Sequence, residues 1–239
     1  MKLTLGSKFE HNDYTGFEVQ PGARLAWTPN ERHMVWASVA RAVCTPSRAQ
    51  EDIRLNIGVM PGAPPTAIAI IGNDSTRSES LIAYELGYRV RPVERLSLDA
   101  TAFYNDYDDL STFEQGTPFM ETSPAHAHAI LPLYFQNKAH GPTFGGEVVS
   151  SIQFHDRWSL RLGYTFLDSD LKLKSGSTDD DPTRGPNPSH RVAFTIQSEP
   201  GLGAISKITL PLAERGAQQM TAGDRPHSEV EVPDAFAFA

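Results

Sequence analysis

Along most of this chain apolar and polar residues alternate with a period of two, and helical spacing is scarce. The clearest stretch runs from Arg157 to Phe166. Trp158, Leu160, Leu162, Tyr164 and Phe166 fall on one parity; Arg157, Ser159, Arg161, Gly163 and Thr165 fall on the other. Successive strand side chains point to opposite faces, so this stretch predicts a strand with one apolar and one polar side. The pattern recurs. Ile82, Tyr84, Leu86, Tyr88 and Val90 oppose Glu85, Gly87 and Arg89. Leu96, Leu98, Ala100, Ala102 and Tyr104 oppose Ser97, Asp99, Thr101 and Asn105, with Phe103 interrupting the polar side. Phe144, Val148, Ile152 and Phe154 oppose Glu147, Ser151 and Gln153, and Val192, Phe194 and Ile196 oppose Arg191, Thr195 and Gln197. Near the start, Leu3, Leu5 and Phe9 oppose Lys2, Thr4 and Lys8, and Ala23, Leu25 and Trp27 oppose Arg24 and Thr28. The stretch from Arg32 to Val43 is strand-like with both faces mixed. The pattern yields about nine or ten strands.

Three connections are tight: Thr28-Pro29-Asn30-Glu31-Arg32, Arg91-Pro92-Val93-Glu94-Arg95 and His155-Asp156-Arg157. Pro, Asn and Asp supply their turn chemistry. Between them lie long polar connections, roughly 44–79, 107–131 and 168–189, rich in Gly, Pro, Ser and Asp. Short turns alternating with long loops is the arrangement of an outer-membrane barrel. Structureless loops of that length would count against a compact soluble domain. Trp27, Trp36, Tyr104, Tyr107, Trp158, Tyr164 and Phe166 sit towards strand ends. They suit an interfacial aromatic girdle or, equally, the core of a β-sandwich.

Composition narrows the picture. Of 239 residues, 39% are hydrophobic, and the mean hydropathy is −0.35. No apolar run is long enough for a membrane-spanning helix. Barrel strands escape that test, because they are short and alternate. The net charge of −8 argues against nucleic acid as a partner, since phosphate binding needs a basic face. One cysteine, Cys44, leaves no internal disulfide. It sits beside Thr45-Pro46 without an activating base, so it reads as inert. His126 and His128 would share a face of a strand, but no ligand partners stand at metal spacing, so they read as loop histidines. Asp179, Asp180 and Asp181, with Asp168 and Asp170 nearby, read as a solvated acidic loop, because their spacing fits no EF-hand. That loop could still meet a cationic or metal-chelate ligand. No spacing supports a catalytic triad, a nucleophile elbow, a phosphate loop or a dinucleotide fingerprint. No catalytic, cofactor-binding or metal-binding residue is therefore assigned, no cofactor is expected, and the chain does not read as an enzyme.

Several segments resemble the barrel of TonB-dependent outer-membrane receptors. Glu79-Ser80-Leu81-Ile82-Ala83-Tyr84-Glu85-Leu86-Gly87-Tyr88-Arg89 is similar to the family's E-x-x-x-x-Y-E-x-G-x-R strand. After a tight turn comes Leu96 to Leu110, with Ala102-Phe103-Tyr104-Asn105 and Tyr107-Asp108-Asp109-Leu110, a frequent signature of these barrels. Thr143-Phe144-Gly145-Gly146-Glu147-Val148 resembles the G-x-E strand, and the stretch from Trp158 to Asp168 resembles its hairpin partner. Asn187-Pro188-Ser189-His190-Arg191 resembles the approach to a later strand. The order and spacing of these motifs carry the resemblance, which spans about residues 1–200.

The resemblance implies an all-β fold, a partial antiparallel transmembrane β-barrel contributing about nine or ten strands of a larger one. It implies the outer membrane as location and the lipid bilayer as partner. A small-molecule ligand such as a ferric siderophore would meet the loops, and the TonB system would act only through a plug. Glu85, Arg89, Asp99, Glu147 and Arg161 share the polar side and would line the lumen, while Gly87 and Gly163 would relieve crowding there. Family barrels have about 22 strands around a plug. Met1-Lys2-Leu3-Thr4-Leu5-Gly6 lacks the apolar core of a signal peptide. The expectation is thus a fragment or truncated reading frame, non-functional alone, with residues 201–239 a divergent tail of coil-like composition. Two other readings stand beside it: a small self-contained porin or adhesin barrel, and a soluble β-sandwich binding module.

Overall fold

The computed structural model describes residues 1–155, 158–180, 190–198 and 205–210. Nine strands among them follow one another across a single antiparallel sheet: β1 (Lys2–Asn12), β2 (Gly16–Asn30), β3 (His33–Cys44), β6 (Glu79–Val93), β7 (Leu96–Gln115), β9 (His128–His155), β10 (Trp158–Ser169), β12 (His190–Ser198) and β13 (Ile205–Leu210). Each is hydrogen-bonded to its predecessor in this order, so the sheet is a meander. Among the described residues it is open, with β1 and β13 at its edges.

The register confirms the alternation row by row. Val35, Tyr88, Ala100, Val148 and Tyr164 lie side by side across five strands, and the neighbouring row on the other face holds Trp36, Gly87, Thr101, Glu147 and Thr165. Apolar side chains on the first face stay uncovered: Leu86 is 57% exposed and Tyr84 47%. A continuous apolar surface of this extent needs a non-aqueous neighbour. On β7 the apolar positions run from Leu96 to Tyr104, and the next position on that face is Asp106. Nine residues is the length a tilted strand needs to cross a bilayer. Trp27, Trp158, Tyr104 and Tyr164 point out from this face, in keeping with a girdle. Trp36 and Tyr107 do not belong to it, because the register puts them on the opposite face, across from Gly87 and Gly141. Phe103 is likewise on the polar side, where it packs towards Gly145.

At the turn end, two-residue links join β2 to β3 and β6 to β7, as the Pro- and Asn-containing segments predict. The link between β9 and β10, Asp156 and Arg157, lies outside the described residues. The opposite end differs from expectation. The connection 44–79 is a folded insertion and not a polar loop: a one-turn helix α1 (Arg48–Asp52) with a Ser47/Gln50 capping box, then a hairpin of β4 (Arg54–Met60) and β5 (Thr66–Ile71). β5 pairs in parallel with β9, Ala67 opposite Ile130 and Ile71 opposite Tyr134. The connection 107–131 is largely strand too. β7 continues to Gln115, β9 starts at His128, and a short β8 (Phe119–Glu121) pairs with the start of β9. At 28 residues β9 is on the order of 90 Å long, far beyond what a bilayer crossing requires.

The sheet therefore has a crossing portion and an extension. Two bulges separate them on the β7–β9 ladder, between Tyr107 and Leu110 and between Leu110 and Thr112, and Asp109 adopts φ 57 there. Among the described residues the buried apolar cluster lies in the extension, formed by Ala67, Ala69 and Ile130, with Pro132 and Thr112 also fully buried there. No helix among the described residues is long and apolar enough to cross a membrane, so a crossing would fall to the strands.

Candidate functional site

The polar face carries the residues the sequence places in a lumen. Arg89 pairs with Asp99 directly across the β6–β7 ladder, and Ser38 Oγ donates to Glu85 Oε2 at 2.9 Å. Thr101 and Glu147 are neighbours in register, as are Arg161 and Ser151. Arg24 stacks its guanidinium 4.4 Å above the Trp36 ring, and the ring lies where a side chain on Gly87 would project. Gly87 is thus required by close approach: any Cβ would overlap Trp36. On this wall Arg89 and Asp99 neutralise each other and Glu85 accepts from Ser38, while the opposite face offers apolar contacts.

The apolar face has one shallow groove of about 480 Å³, floored by Ala100, Ala102 and Gly146 and walled by Tyr88 and Tyr164. Each tyrosine leans away from the groove onto a histidine: Tyr88 Oη is 2.7 Å from His33 Nδ1, and Tyr164 Oη is 2.7 Å from His190 Nδ1. Such pairing would satisfy these polar groups where the face meets hydrocarbon.

The loop-end extension is the most elaborately built region. Around Asp109 it gathers Arg77 (2.9 Å), Lys174 (2.6 Å) and the side-chain amide of Asn137, which donates to the Asp109 carbonyl at 2.6 Å. Asn137 Oδ1 also accepts from the Arg77 N–H at 2.7 Å, fixing segment 72–78 against β9. Beside it is a polar concavity of about 430 Å³, lined by Asn73, Ser75, Arg77, Gln136, Asn137 and Lys138. This is where a polar ligand group would find donors from two chain segments.

Glu114, on the extension and 3% exposed, ties a third segment to the same place. It accepts from Ser177 Oγ at 2.6 Å and from the Thr178 N–H at 2.6 Å, with Lys138 Nζ 3.5 Å away. Burial pushes its pKa up, but hydrogen bonds from Ser177, Thr178 and Thr112 outweigh that and hold it at about 2. A folded pKa below the unfolded one adds stability above the unfolded value, and that stability is lost as pH falls towards the folded one. The contribution is at most about 3 kcal/mol, less where water reaches the segment. Glu114→Gln should therefore loosen residues 174–180 at pH 7 by something on the order of 1–3 kcal/mol, and the wild-type segment should loosen only between about pH 4.5 and 2. Amide exchange at residues 175–180, at pH 7 for the substitution and through the acid range for the wild type, reads both; exchange unaffected by the substitution would contradict the assignment.

The discounted residues separate in space. His128 Nδ1 contacts the His126 carbonyl at 2.8 Å, and its Nε2 is 3.8 Å from Glu121, which also pairs with Arg54 at 2.6 Å. Asp170 pairs with Lys172 and Asp179 accepts from the Phe113 N–H, while Asp181 lies outside the described residues. Cys44 is exposed at the end of β3. Among the described residues no three His, Cys, Asp or Glu side chains converge as a metal site. The sequence reading missed Glu114 and Asn137, and met Asp109 only within the Tyr107–Leu110 signature. Only the breakdown of alternation after Tyr107 hints at them.

The amphipathic meander, with tight turns at one end and built-up connections at the other, defines the wall of a membrane β-barrel. The model of the family described as TonB dependent receptor-like, beta-barrel matches residues 1–212. The chain belongs to this family, whose members are outer-membrane β-barrels and transport receptors. Solved structures share the fold at low identity. The siderophore receptor PirA from Acinetobacter baumannii superposes with a TM-score of 0.65 at 16% identity, over 84% of this chain and 29% of that one. A variant of the ferric enterobactin receptor PfeA from Pseudomonas aeruginosa gives 0.62 at 19% identity, over 84% and 28%. PirA from Pseudomonas aeruginosa gives 0.60 at 17%, over 87% and 36%. The chain thus spans about a third or less of the receptors it resembles. No curated protein matches it by sequence.

Proposed function

We propose that this chain forms one sector of the wall of an outer-membrane receptor for TonB-dependent uptake of a scarce ligand, of the ferric-siderophore kind. The observation that carries the reading is the division of the sheet. One portion is apolar outside and polar inside, and an extension above it brings Asn73, Arg77, Gln136 and Lys138 around a polar concavity. The matched receptors bind siderophores by name, and polar donors at the loop end suit an oxygen-rich chelate.

Strand direction supports the need for further strands. The nine antiparallel strands of the described residues alternate in direction, so β1 and β13 run the same way, and closing these nine on themselves would require a parallel junction. Outer-membrane barrels of a single chain close antiparallel, with an even count. An open sheet in lipid also leaves unpaired backbone groups at both edges, at a cost of several kcal/mol each. An additional, odd number of strands satisfies both conditions, and a plug would supply the TonB contact.

Refolding the 239-residue chain into lipid vesicles tests this. The expected product is β-rich and membrane-bound, with no conductance and no heat-resistant compact form. A discrete pore from the chain alone would refute the requirement for more strands. A monodisperse globule in plain buffer would refute the membrane assignment itself.

A further inference from the structure

Beyond Ser80 and Asp108, where β6 stops pairing with β7, the outer edge of the β7 extension has no neighbouring strand among the described residues. Its donors are nonetheless occupied. The Ser111 N–H donates to Glu79 Oε1 at 2.9 Å, the Phe113 N–H to Asp179 Oδ2 at 2.8 Å, and the Gln115 N–H to Thr178 Oγ1 at 2.7 Å. These are alternate residues, as on any strand edge, and the Gly116 N–H faces the other way, towards Pro132 of β9. Three side-chain oxygens thus take the positions of the carbonyls of an absent strand.

Two of the three come from the segment that follows β10. That segment pairs with β9 through β11 (Lys172–Leu173), whose residues lie opposite His140 and Ala139. It then crosses the ladder. The Lys174 N–H reaches the Lys138 carbonyl at 2.7 Å, Lys174 Nζ reaches Asp108 and Asp109, and Lys138 Nζ reaches the Gly176 carbonyl at 3.0 Å. Ser177 and Thr178 then close on Glu114. From Lys174 to Asp180 the sequence is Lys-Ser-Gly-Ser-Thr-Asp-Asp. With no apolar side chain to bury, its order must come from these polar contacts.

We infer that residues 172–180 are a fixed strap: a stand-in for a missing β-strand that seals the free edge of β7 and belongs to the wall rather than to a movable, ligand-responsive loop. The strap and the edge open together, because Thr178 and Asp179 reach the edge only while Glu114 holds Ser177 and Thr178. Exposed edges are usually blunted by charge, bulges or a covering segment. Here one covering segment supplies two of the three acceptors together with the charge of Asp179.

Residue-resolved amide exchange on the full chain in detergent micelles, without any ligand, tests the strap independently of the receptor reading. In the wild type Phe113 and Gln115 should be protected although they lie at a sheet edge. Thr178→Val, nearly isosteric, removes the acceptor of the Gln115 N–H and the hydroxyl donor to Glu114 Oε2; it should speed exchange at Gln115 by at least about three- to tenfold, the worth of one hydrogen bond, and leave Ser111 unchanged. Asp179→Ala, which removes the acceptor of the Phe113 N–H, should act at Phe113 in the same way. Glu114→Ala should release Phe113 and Gln115 together, again sparing Ser111, which Glu79 holds. Coil-like exchange at Phe113 and Gln115 in the wild type would overturn the proposal. So would equal acceleration at all three amides in the Thr178→Val chain.

Discussion

Arginine in place of Ala102 is expected to cost about 2–4 kcal/mol of stability in a bilayer, and arginine in place of the adjacent Thr101 less than about 1 kcal/mol. The two residues are neighbours in sequence and share hydrogen-bonding partners, β6 and β9, but face opposite media. Ala102 is in register with Leu86 and Gly146 on the apolar side, halfway between Leu96 at the turn end and Asp106. A guanidinium there sits near the mid-plane, too deep to reach water without distorting the sheet or the lipid. Thr101 lies opposite Gly87 and Glu147. An arginine there meets a carboxylate and the void above glycine, so its charge is paired in a wet setting. Unfolding midpoints in urea from lipid vesicles, at constant dependence on denaturant, read the difference. Similar costs at both positions, or the larger one at Thr101, would mean that the apolar face does not meet hydrocarbon.

The crossing portion was legible because lipid and water impose a strict two-phase pattern on each strand. From Ile82 to Val90 and from Leu96 to Tyr104 every apolar residue found the face its parity assigned. What escaped the sequence was the extension. A bulge on each strand, around Asp109 and Asn137, resets the phase, so alternation cannot be followed through it. Above it both faces contact protein, and buried polar residues such as Glu114 and Asn137 replace the apolar signal that periodicity detects. The insertion 44–79 was hidden for a related reason. Its strands gain their partner from β9, more than fifty residues later in the chain, and no local signal encodes a parallel pairing of that span. Trp36 shows the converse error. Its position near a strand end suggested the interface, yet the ring needs the space that only Gly87 leaves, and that relation is visible only once β3 and β6 are in register.

Gly145→Ala, a single added methyl, is expected to cost about 2–4 kcal/mol, against a near-neutral Gly6→Ala in the same sheet. Gly6 sits on β1 with nothing within 4 Å of the place a Cβ would take. Alanine there adds no clash and removes some freedom from the unfolded chain. At Gly145 the same atom would overlap the Phe166 carbonyl oxygen of the facing strand, and would lie 2.8 Å from the Phe103 ring and 3.1 Å from Leu167 Cα. The Phe103 ring could swing aside, because it projects into the polar, loosely packed side of the wall. The backbone of β10 cannot. Relief requires β9 and β10 to separate locally, which breaks ladder hydrogen bonds in a region where hydrocarbon offers no replacement. The cost should therefore appear as a lower unfolding midpoint and, in amide exchange, as faster opening of Gly146, Glu147, Phe166 and Leu167 with β1 and β2 unaffected. Adding Phe103→Ala to Gly145→Ala separates the two clashes. If the second substitution restores most of the loss, the ring and not the strand spacing sets the limit, and the sheet is more compliant at this point than its close backbone approach implies.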